Sequence, residues 1–511
     1  MQHSAHLAPA SFDALVPRPT RLHPQDGSFV LPETLSISAP DPSCLWLGPL
    51  QEDLLRLGIR STITSDATNG SPGLTLRIDE TTAPESSLLN VNESGITLTA
   101  ATERTLVTGV QRLRAVLHMA PAGRVLRLPC VRLEDTPRYS WRGMHLDCAR
   151  HFMPVDFILL FLDRMSLLGY NRLHWHLTDD QGWRLEIPGF PALTSVGAVR
   201  RRSHIGKMAP DGSPQQFNTE SHGGFYRAED VARIVAHASA RGITVMPEIE
   251  MPGHSTAALA AYPEWGCQGK QLEVADYWGI FPNLLCAGND RVLRSLEDIL
   301  THVTALFPSP YIHLGGDECP LGDWDTCPKC QDRIARAGLV DSHGLHAWFF
   351  RHFQNFLRDR GRTMVIWDDV LDAGDIGTDA VIMCWRSAEA VAQAAERGHR
   401  VINCTHTDTY FNKYQTADPH TEGLAYDGYL PIERVRAFQP GGEAPIHFPK
   451  VLGAQGHLWS EYMPTPADVT RMAFPRMIAL IERLWSDEPT VVDHSPIIKT
   501  HGEFSSLPAH S

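Results

Sequence analysis

Two hydrophobic rhythms divide the chain. Over residues 15–133 apolar and polar positions alternate in short runs such as Gly95-Ile96-Thr97-Leu98-Thr99 and Val125-Leu126-Arg127-Leu128, the period-two pattern of half-buried strands. One segment breaks that rhythm. In 104–117 the apolar residues Leu106, Val107, Val110, Leu113, Val116 and Leu117 fall on a single stripe at helical spacing. A small α+β domain is expected here, closed at Glu134-Asp135-Thr136-Pro137, where polar residues end in a proline.

Beyond that point the pattern changes to strand-like runs, most of them followed by amphipathic stretches. Strands are predicted over 143–147, 172–176, 244–248, 311–314, 364–367, 381–385, 401–404 and 451–456, and helices over 154–168, 229–241, 292–306, 344–358 and 388–397. Eight strand–helix units predict an α/β fold built on a closed (β/α)8 TIM barrel, with function at the C-terminal strand ends. An open doubly wound sheet is the alternative, but no glycine-rich dinucleotide fingerprint follows the first strand. The expected division is residues 1–135 for the α+β domain, 136–490 for the barrel and 491–511 for a polar C-terminal tail. The connections 189–224 and 412–450 exceed ordinary loop lengths and are expected to shape a binding cleft.

Composition narrows the class of partner. Hydrophobic residues at 43% and charged residues at 20% describe a globular chain. A formal net charge of −14 argues against nucleic acid or an anionic membrane as partner, because both require clustered Lys and Arg. A neutral substrate fits better. Met1 to Pro17 shows no basic start followed by an apolar core, and the ten cysteines are scattered, so a cytoplasmic chain with mostly reduced thiols is expected. Cys267 and Cys286 are placed to pair across a loop. Cys327-Pro328-Lys329-Cys330, with Cys319 nearby, has the form of half a zinc site, but no second pair at matching spacing follows it, so no metal or other cofactor is expected.

The candidate chemistry sits where the predicted strands end. Tyr311-Ile312-His313-Leu314-Gly315-Gly316-Asp317-Glu318 is an apolar run that passes through two glycines into two adjacent carboxylates. The glycines let a ligand approach the backbone, and neighbouring side chains on extended chain point to opposite sides, so the two acids have different tasks. The other strands end in Asp147 and Arg150-His151-Phe152, in His174-Trp175-His176 with Asp179-Asp180-Gln181, in Pro252-Gly253-His254, in Trp367-Asp368-Asp369, in Trp385-Arg386, in Tyr410-Phe411-Asn412 and in Trp459-Ser460-Glu461. Three tryptophans with carboxylates and an arginine suit a pocket that stacks a pyranose face and hydrogen-bonds its hydroxyls.

These motifs together resemble those of the family 20 glycoside hydrolases, the β-N-acetylhexosaminidases. The resemblance runs from the small N-terminal domain through Arg483-Leu484-Trp485-Ser486. It implies a retaining exo-enzyme that removes terminal β-linked GlcNAc or GalNAc from oligosaccharides, with the substrate's own 2-acetamido oxygen as nucleophile. By the same resemblance Glu318 is the general acid and base, and Asp317 accepts the acetamido N–H. Tyr410 holds the acetamido carbonyl, and Trp367, Trp385 and Trp459 box the sugar. Arg150 binds the 3- and 4-hydroxyls and Glu461 the 4- and 6-hydroxyls, while Asp179 and His254 lie behind the acid. An acid that carries its proton near neutral pH needs a raised pKa, which burial beside another carboxylate supplies. Many family members have Asp where Asn412 stands here, followed by Lys413. That departure motivates the expectation that Lys413 favours sulfated or otherwise anionic sugars.

Three other readings compete. His174-x-His176 with His254, His313 and Asp317 resembles the ligand set of a metal-dependent amidohydrolase, although paired histidines usually end the first strand there and not the second. A lectin-like binder would keep the aromatic pocket without the chemistry. A relative that releases a disaccharide would differ only in pocket depth near Glu461.

Overall fold

The computed structural model describes residues 12–65, 73–120, 126–442 and 449–486. Val125 and the expected tail 491–511 lie outside the described residues. Among the described residues no helix is long and apolar enough to cross a membrane.

The N-terminal part is a seven-stranded sheet whose spatial order is Arg21–Val30, Arg127–Asp135, Ser87–Asn92, Gly95–Ala100, Gly73–Ile78, Thr34–Ser38 and Arg60–Thr64. Alternation places Ile96, Leu98 and Ala100 on the inner face, where the helix Glu103–Met119 covers them. That helix begins at Thr102, whose hydroxyl accepts the Thr105 N–H at 3.2 Å. It lies close because Gly109 has no side chain: a Cβ there would stand 2.7 Å from Leu98 Cδ1.

The second part is a closed barrel of eight parallel strands, in the order Trp141–Asp147, Arg172–His176, Thr244–Glu248, Tyr311–His313, Thr363–Trp367, Val381–Cys384, Arg400–Asn403 and Val451–Leu458. Each predicted run supplies one strand, with ends moved by one or two residues. Trp141–Asp147 is buried along its whole length, as a parallel strand covered on both faces must be. The predicted helices form as Val155–Leu167, Ala228–Ser239, Asp290–Leu306, Ser342–Arg358 and Ala388–Glu396.

The last helix, Arg476–Trp485, ties the two parts together. Its Trp485 donates from Nε1 to Asp135 Oδ1 at 2.7 Å, and Asp135 Oδ2 accepts from Arg112 Nε at 2.8 Å. Both long connections reach the C-terminal rim and meet there, where Lys207 Nζ donates to the Ala425 carbonyl and to Asp427 Oδ1, each at 2.6 Å.

Candidate active site

A cavity of about 340 Å³ opens at the C-terminal end of the barrel. Its acid side is built by the fourth strand and the chain that follows. Gly315 and Gly316 have φ of 68° and 97°, the left-handed region that favours glycine. A Cβ at Gly315 would run into the Glu250 carboxylate, and one at Gly316 would stand 2.7 Å from Phe350 Cζ. The glycines therefore serve the chain reversal and the packing beneath it, where the motif alone had suggested room for a ligand. Glu318 follows with φ of 48°, a strained value for a residue with a side chain. Its N–H donates to Asp369 Oδ1 at 3.2 Å, and Asp369 Oδ2 accepts from Trp385 Nε1 at 2.7 Å. Asp369 thus fixes the acid loop and one aromatic wall at once, a role that its place in Trp367-Asp368-Asp369 did not disclose.

The two carboxyls differ in exposure, 15% for the Asp317 side chain and 34% for Glu318. Burial pushes the Asp317 carboxyl up to about 8, helped by neighbouring Asp369 and Glu318, while His254 pulls the other way. Asp317 is thus the more enclosed of the two acids, and Glu318 is a third exposed. Beneath them Glu250 is held well above the usual carboxylate range by burial and by Asp317.

His254, at φ of 45°, bridges the acids to the layer below. Nδ1 faces Asp180 Oδ2 at 2.9 Å and Asp179 Oδ1 at 3.2 Å, while Nε2 faces Glu318 Oε2 at 3.5 Å and Asp317 Oδ2 at 3.7 Å. Burial alone would depress its basicity, but Asp179 and its hydrogen bonds outweigh that and hold the imidazole well above its ordinary pKa. A cation therefore stands behind both acids.

The opposite side is organised by Arg150. Its Nη2 pairs with Asp179 at 2.8 Å, its Nε donates to Gln181 Oε1 at 3.1 Å, and the guanidinium lies 5.0 Å over the Trp459 ring. Asp147 joins the first and eighth strand ends, accepting from Arg150 N at 3.0 Å and from Ser460 N at 2.9 Å. Glu461 lies beside Arg150, and burial raises its carboxyl to about 7 against the pull of that guanidinium. Trp385 and Tyr410 stand nearly parallel, 17° apart with centroids at 6.4 Å, and burial holds the Tyr410 phenol well above 10. Asp317 Oδ1, Asn412 Oδ1 and Glu461 Oε2 are buried without a hydrogen-bond partner among the described residues.

Of the eleven residues assigned to catalysis or sugar binding, nine line the cavity: Arg150, His254, Asp317, Glu318, Trp385, Tyr410, Asn412, Trp459 and Glu461. Two do not. Asp179 sits behind the wall, shared by Arg150, His176 and His254. Trp367 lies under the floor at 1% exposure, because the strand directs its ring into the barrel, where Nε1 donates to Glu248 Oε1 at 2.9 Å. The expectation that Trp367 boxes the sugar directly is corrected accordingly. The long connection 412–450 adds Tyr426 and Asp427 to the lining, and His406 and Lys413 complete one edge, with Lys413 Nζ 2.9 Å from His406 Nδ1. Tyr426 is brought in by its N–H bond to the Asn412 carbonyl at 2.8 Å, a contact with no local sequence signal.

His174, His176 and His313 are fully buried below this cavity and converge on Glu248. None of them lines the cavity, which leaves the amidohydrolase arrangement without access to a substrate.

Residues 139–488 match the model of the glycosyl hydrolase family 20 catalytic domain, and residues 13–136 match that of glycosyl hydrolase family 20, domain 2. A β-hexosaminidase of Porphyromonas gingivalis is 34% identical over 92% of this chain, and the chain spans 60% of that relative's length. A β-hexosaminidase of Vibrio furnissii is 34% identical over 91% of this chain and 76% of its own. Among solved structures, a β-N-acetylhexosaminidase from Bacteroides fragilis superposes with a TM-score of 0.81 at 31% identity, covering 96% of this chain and 95% of that one. An exo β-N-acetylglucosaminidase from Vibrio harveyi, in complex with N-acetylglucosamine, superposes with a TM-score of 0.82 at 28% identity, covering 97% and 78%.

Proposed function

We propose, on the premise that this chain belongs to glycosyl hydrolase family 20, that it is an exo-β-N-acetylhexosaminidase removing terminal non-reducing β-linked GlcNAc or GalNAc from oligosaccharides. Family 20 is one of the recognised substrate-assisted exceptions to the two-carboxylate scheme of glycosidases. The observation that carries the reading is the pairing of a more exposed acid, Glu318, with a less exposed one, Asp317, in the cavity that Tyr410 also lines.

In the first step the carbonyl oxygen of the 2-acetamido group attacks the anomeric carbon. The glycosidic C–O bond breaks and Glu318 gives its proton to the leaving oxygen, so a cyclic oxazolinium forms and the aglycone departs. Asp317 accepts the acetamido N–H through Oδ1, which has no hydrogen-bond partner among the described residues, and in its ionised form opposes the positive charge that grows on the ring. The Tyr410 hydroxyl donates to the acetamido oxygen and holds it in line, so that the nucleophile gains its rate from position. In the second step Glu318 takes a proton from water, which attacks the anomeric carbon from the opposite face. Two inversions return the β configuration.

Specificity for a chain end follows from the Arg150 side. The guanidinium, fixed by Asp179 and Gln181, donates to the 3- and 4-hydroxyls, and Glu461 accepts from the 4- and 6-hydroxyls. Trp459 offers a face for the sugar.

The test is hydrolysis of an aryl β-GlcNAc beside an aryl β-glucoside, which differ at the acetamido group. Strong preference for the acetamido sugar, with a β-configured first product by NMR, is expected. Comparable rates on the two substrates would mean that an enzyme carboxylate is the nucleophile.

A further inference from the structure

Four cysteines that the strand-end chemistry does not use converge beside the acid loop. Cys267 and Cys286 belong to the long connection after the third barrel strand, and Cys327 and Cys330 to the start of the helix Pro328–Arg336. All four sulfurs lie within 4.8 Å of one another. Cys267 to Cys330 and Cys286 to Cys327 measure 3.8 Å, and Cys286 to Cys330 measures 3.7 Å. A disulfide requires about 2.05 Å, and all four thiols are free. Sulfurs held about 2.3 Å from a central zinc at tetrahedral angles stand ~3.8 Å apart. The edges in this protein are those of such a tetrahedron.

The surrounding backbone is shaped for it. Gly288 packs against Lys329 and the Cys330 backbone so tightly that a Cβ would collide with them. From there its N–H donates to the Cys286 sulfur, the kind of bond that favours a thiolate. The helix begins between the two thiols of Cys327-Pro328-Lys329-Cys330, where its dipole favours negative charge. Cys286, Cys327 and Cys330 are buried and Cys267 is partly so.

We propose that Cys267, Cys286, Cys327 and Cys330 form a structural zinc site, one Zn²⁺ bound by four thiolates whose protons pass to solvent on binding. Four thiolates close the coordination shell and leave no position for water or substrate, so the metal has a structural and not a catalytic place. Soft sulfur ligands select zinc over magnesium or calcium. The half-site seen in the sequence is completed from upstream, by two cysteines on one loop, where a downstream pair was sought. The metal joins positions 41, 44 and 63 residues apart, closing long loops. It also couples the two segments that present the chemistry. Leu285, beside Cys286, donates its N–H to the Pro252 carbonyl at 3.0 Å, two residues from His254, and accepts from Trp324 Nε1 at 3.0 Å, on the insertion that follows Glu318.

The experiment is elemental analysis of tag-free protein prepared without added metal, combined with titration of its thiols. About one zinc per chain is expected, released together with four thiols by a mercurial. Cys330→Ser is expected to lose the zinc and to melt at lower temperature, while Cys44→Ser, in the turn before the helix Leu47–Arg56 of the N-terminal part, keeps it. If Cys330→Ser does not fold, protein grown with cobalt in place of zinc decides, through the visible bands of a tetrahedral cobalt thiolate. Metal-free protein with four free thiols would overturn the proposal, and so would two disulfides among these cysteines or iron in the site. The readout is metal and thiol content, so it stands whichever way the substrate test falls.

Discussion

The hydrophobic cluster between the N-terminal sheet and its helices is nearly all aliphatic, including Leu35, Ile37, Leu74, Leu89, Ile96 and Leu98. Inside the barrel, beneath the cavity, the corresponding space holds His145, His174, His176, Glu248, His313, Gln455 and His457, each fully buried. The first interior is held by a non-directional force, in which shape and area decide stability. The second is directional. Glu248 receives Trp367, His174, His176 and His313, and His176 is also shared with Asp179. Burial would raise the Glu248 carboxyl, but His313 and His176 outweigh it and hold it well below its usual range. Burial likewise drops His174 to about 4, so only part of this layer is charged at neutral pH. Such a layer gives up hydrophobic stabilisation and gains fixed orientation for Asp179, Trp367 and, through them, Arg150 and His254.

Substitutions in the two interiors, and in the site above the barrel, should separate these effects. The largest change is expected from Glu318→Gln, which removes the proton carrier and should lower kcat by about 10²–10⁴-fold with little change in melting temperature. Retention of most of the activity would remove Glu318 from the acid role. Glu248→Gln in the polar interior leaves buried imidazoles without their counter-charge and should cost ~3–5 kcal/mol in denaturant unfolding. An unfolding midpoint equal to that of the parent would show that the layer is not organised by this carboxylate. Leu98→Ala in the aliphatic interior should cost ~2–5 kcal/mol while leaving kcat/KM of the folded enzyme unchanged. A changed kcat/KM would mean that the two parts of the chain are coupled through the sheet.

Asp317→Asn distinguishes function from stability within one residue. The folded chain holds the Asp317 proton up to about 8, against an ordinary value of 3.8. The folded state binds more protons over that window, so this residue's stabilising contribution is complete below pH ~4 and is lost as pH rises towards ~8. Asp317→Asn should therefore lose activity yet show a shallower decline of stability from pH ~5 to ~8 than the parent. Parallel stability profiles would contradict the burial account of its proton affinity. The smallest effect is expected from Lys413→Ala at the cavity edge, a change within ~1 kcal/mol that lowers hydrolysis of a 6-sulfated substrate relative to the neutral one. An unchanged ratio would end the idea of a preference for anionic sugars. Activity should survive excess EDTA, because the proposed roles of Glu318 and Asp317 require no metal in the pocket; loss of activity with the four-cysteine zinc still bound would return the amidohydrolase reading.

Local pattern alone determined a good deal. Eight strand-like runs carried the barrel, and acids and aromatics at their ends marked the rim, because strand periodicity and strand direction are properties of consecutive residues. Asp317, Glu318 and Arg150 were legible for the same reason. What the tertiary structure decided involves distance in sequence or burial in space. Trp367 went under the floor because its neighbour across the barrel is Glu248. Asp317 carries a raised proton affinity because burial by the surrounding rim, set by residues far apart in sequence, disfavours its charged form. Cys267 and Cys286 meet Cys327 and Cys330 only because the loops after the third and fourth strands fold against each other. Periodicity reads contacts between near neighbours, whereas dielectric environment and ligand geometry are set by residues tens or hundreds of positions apart, and only the folded chain brings those together.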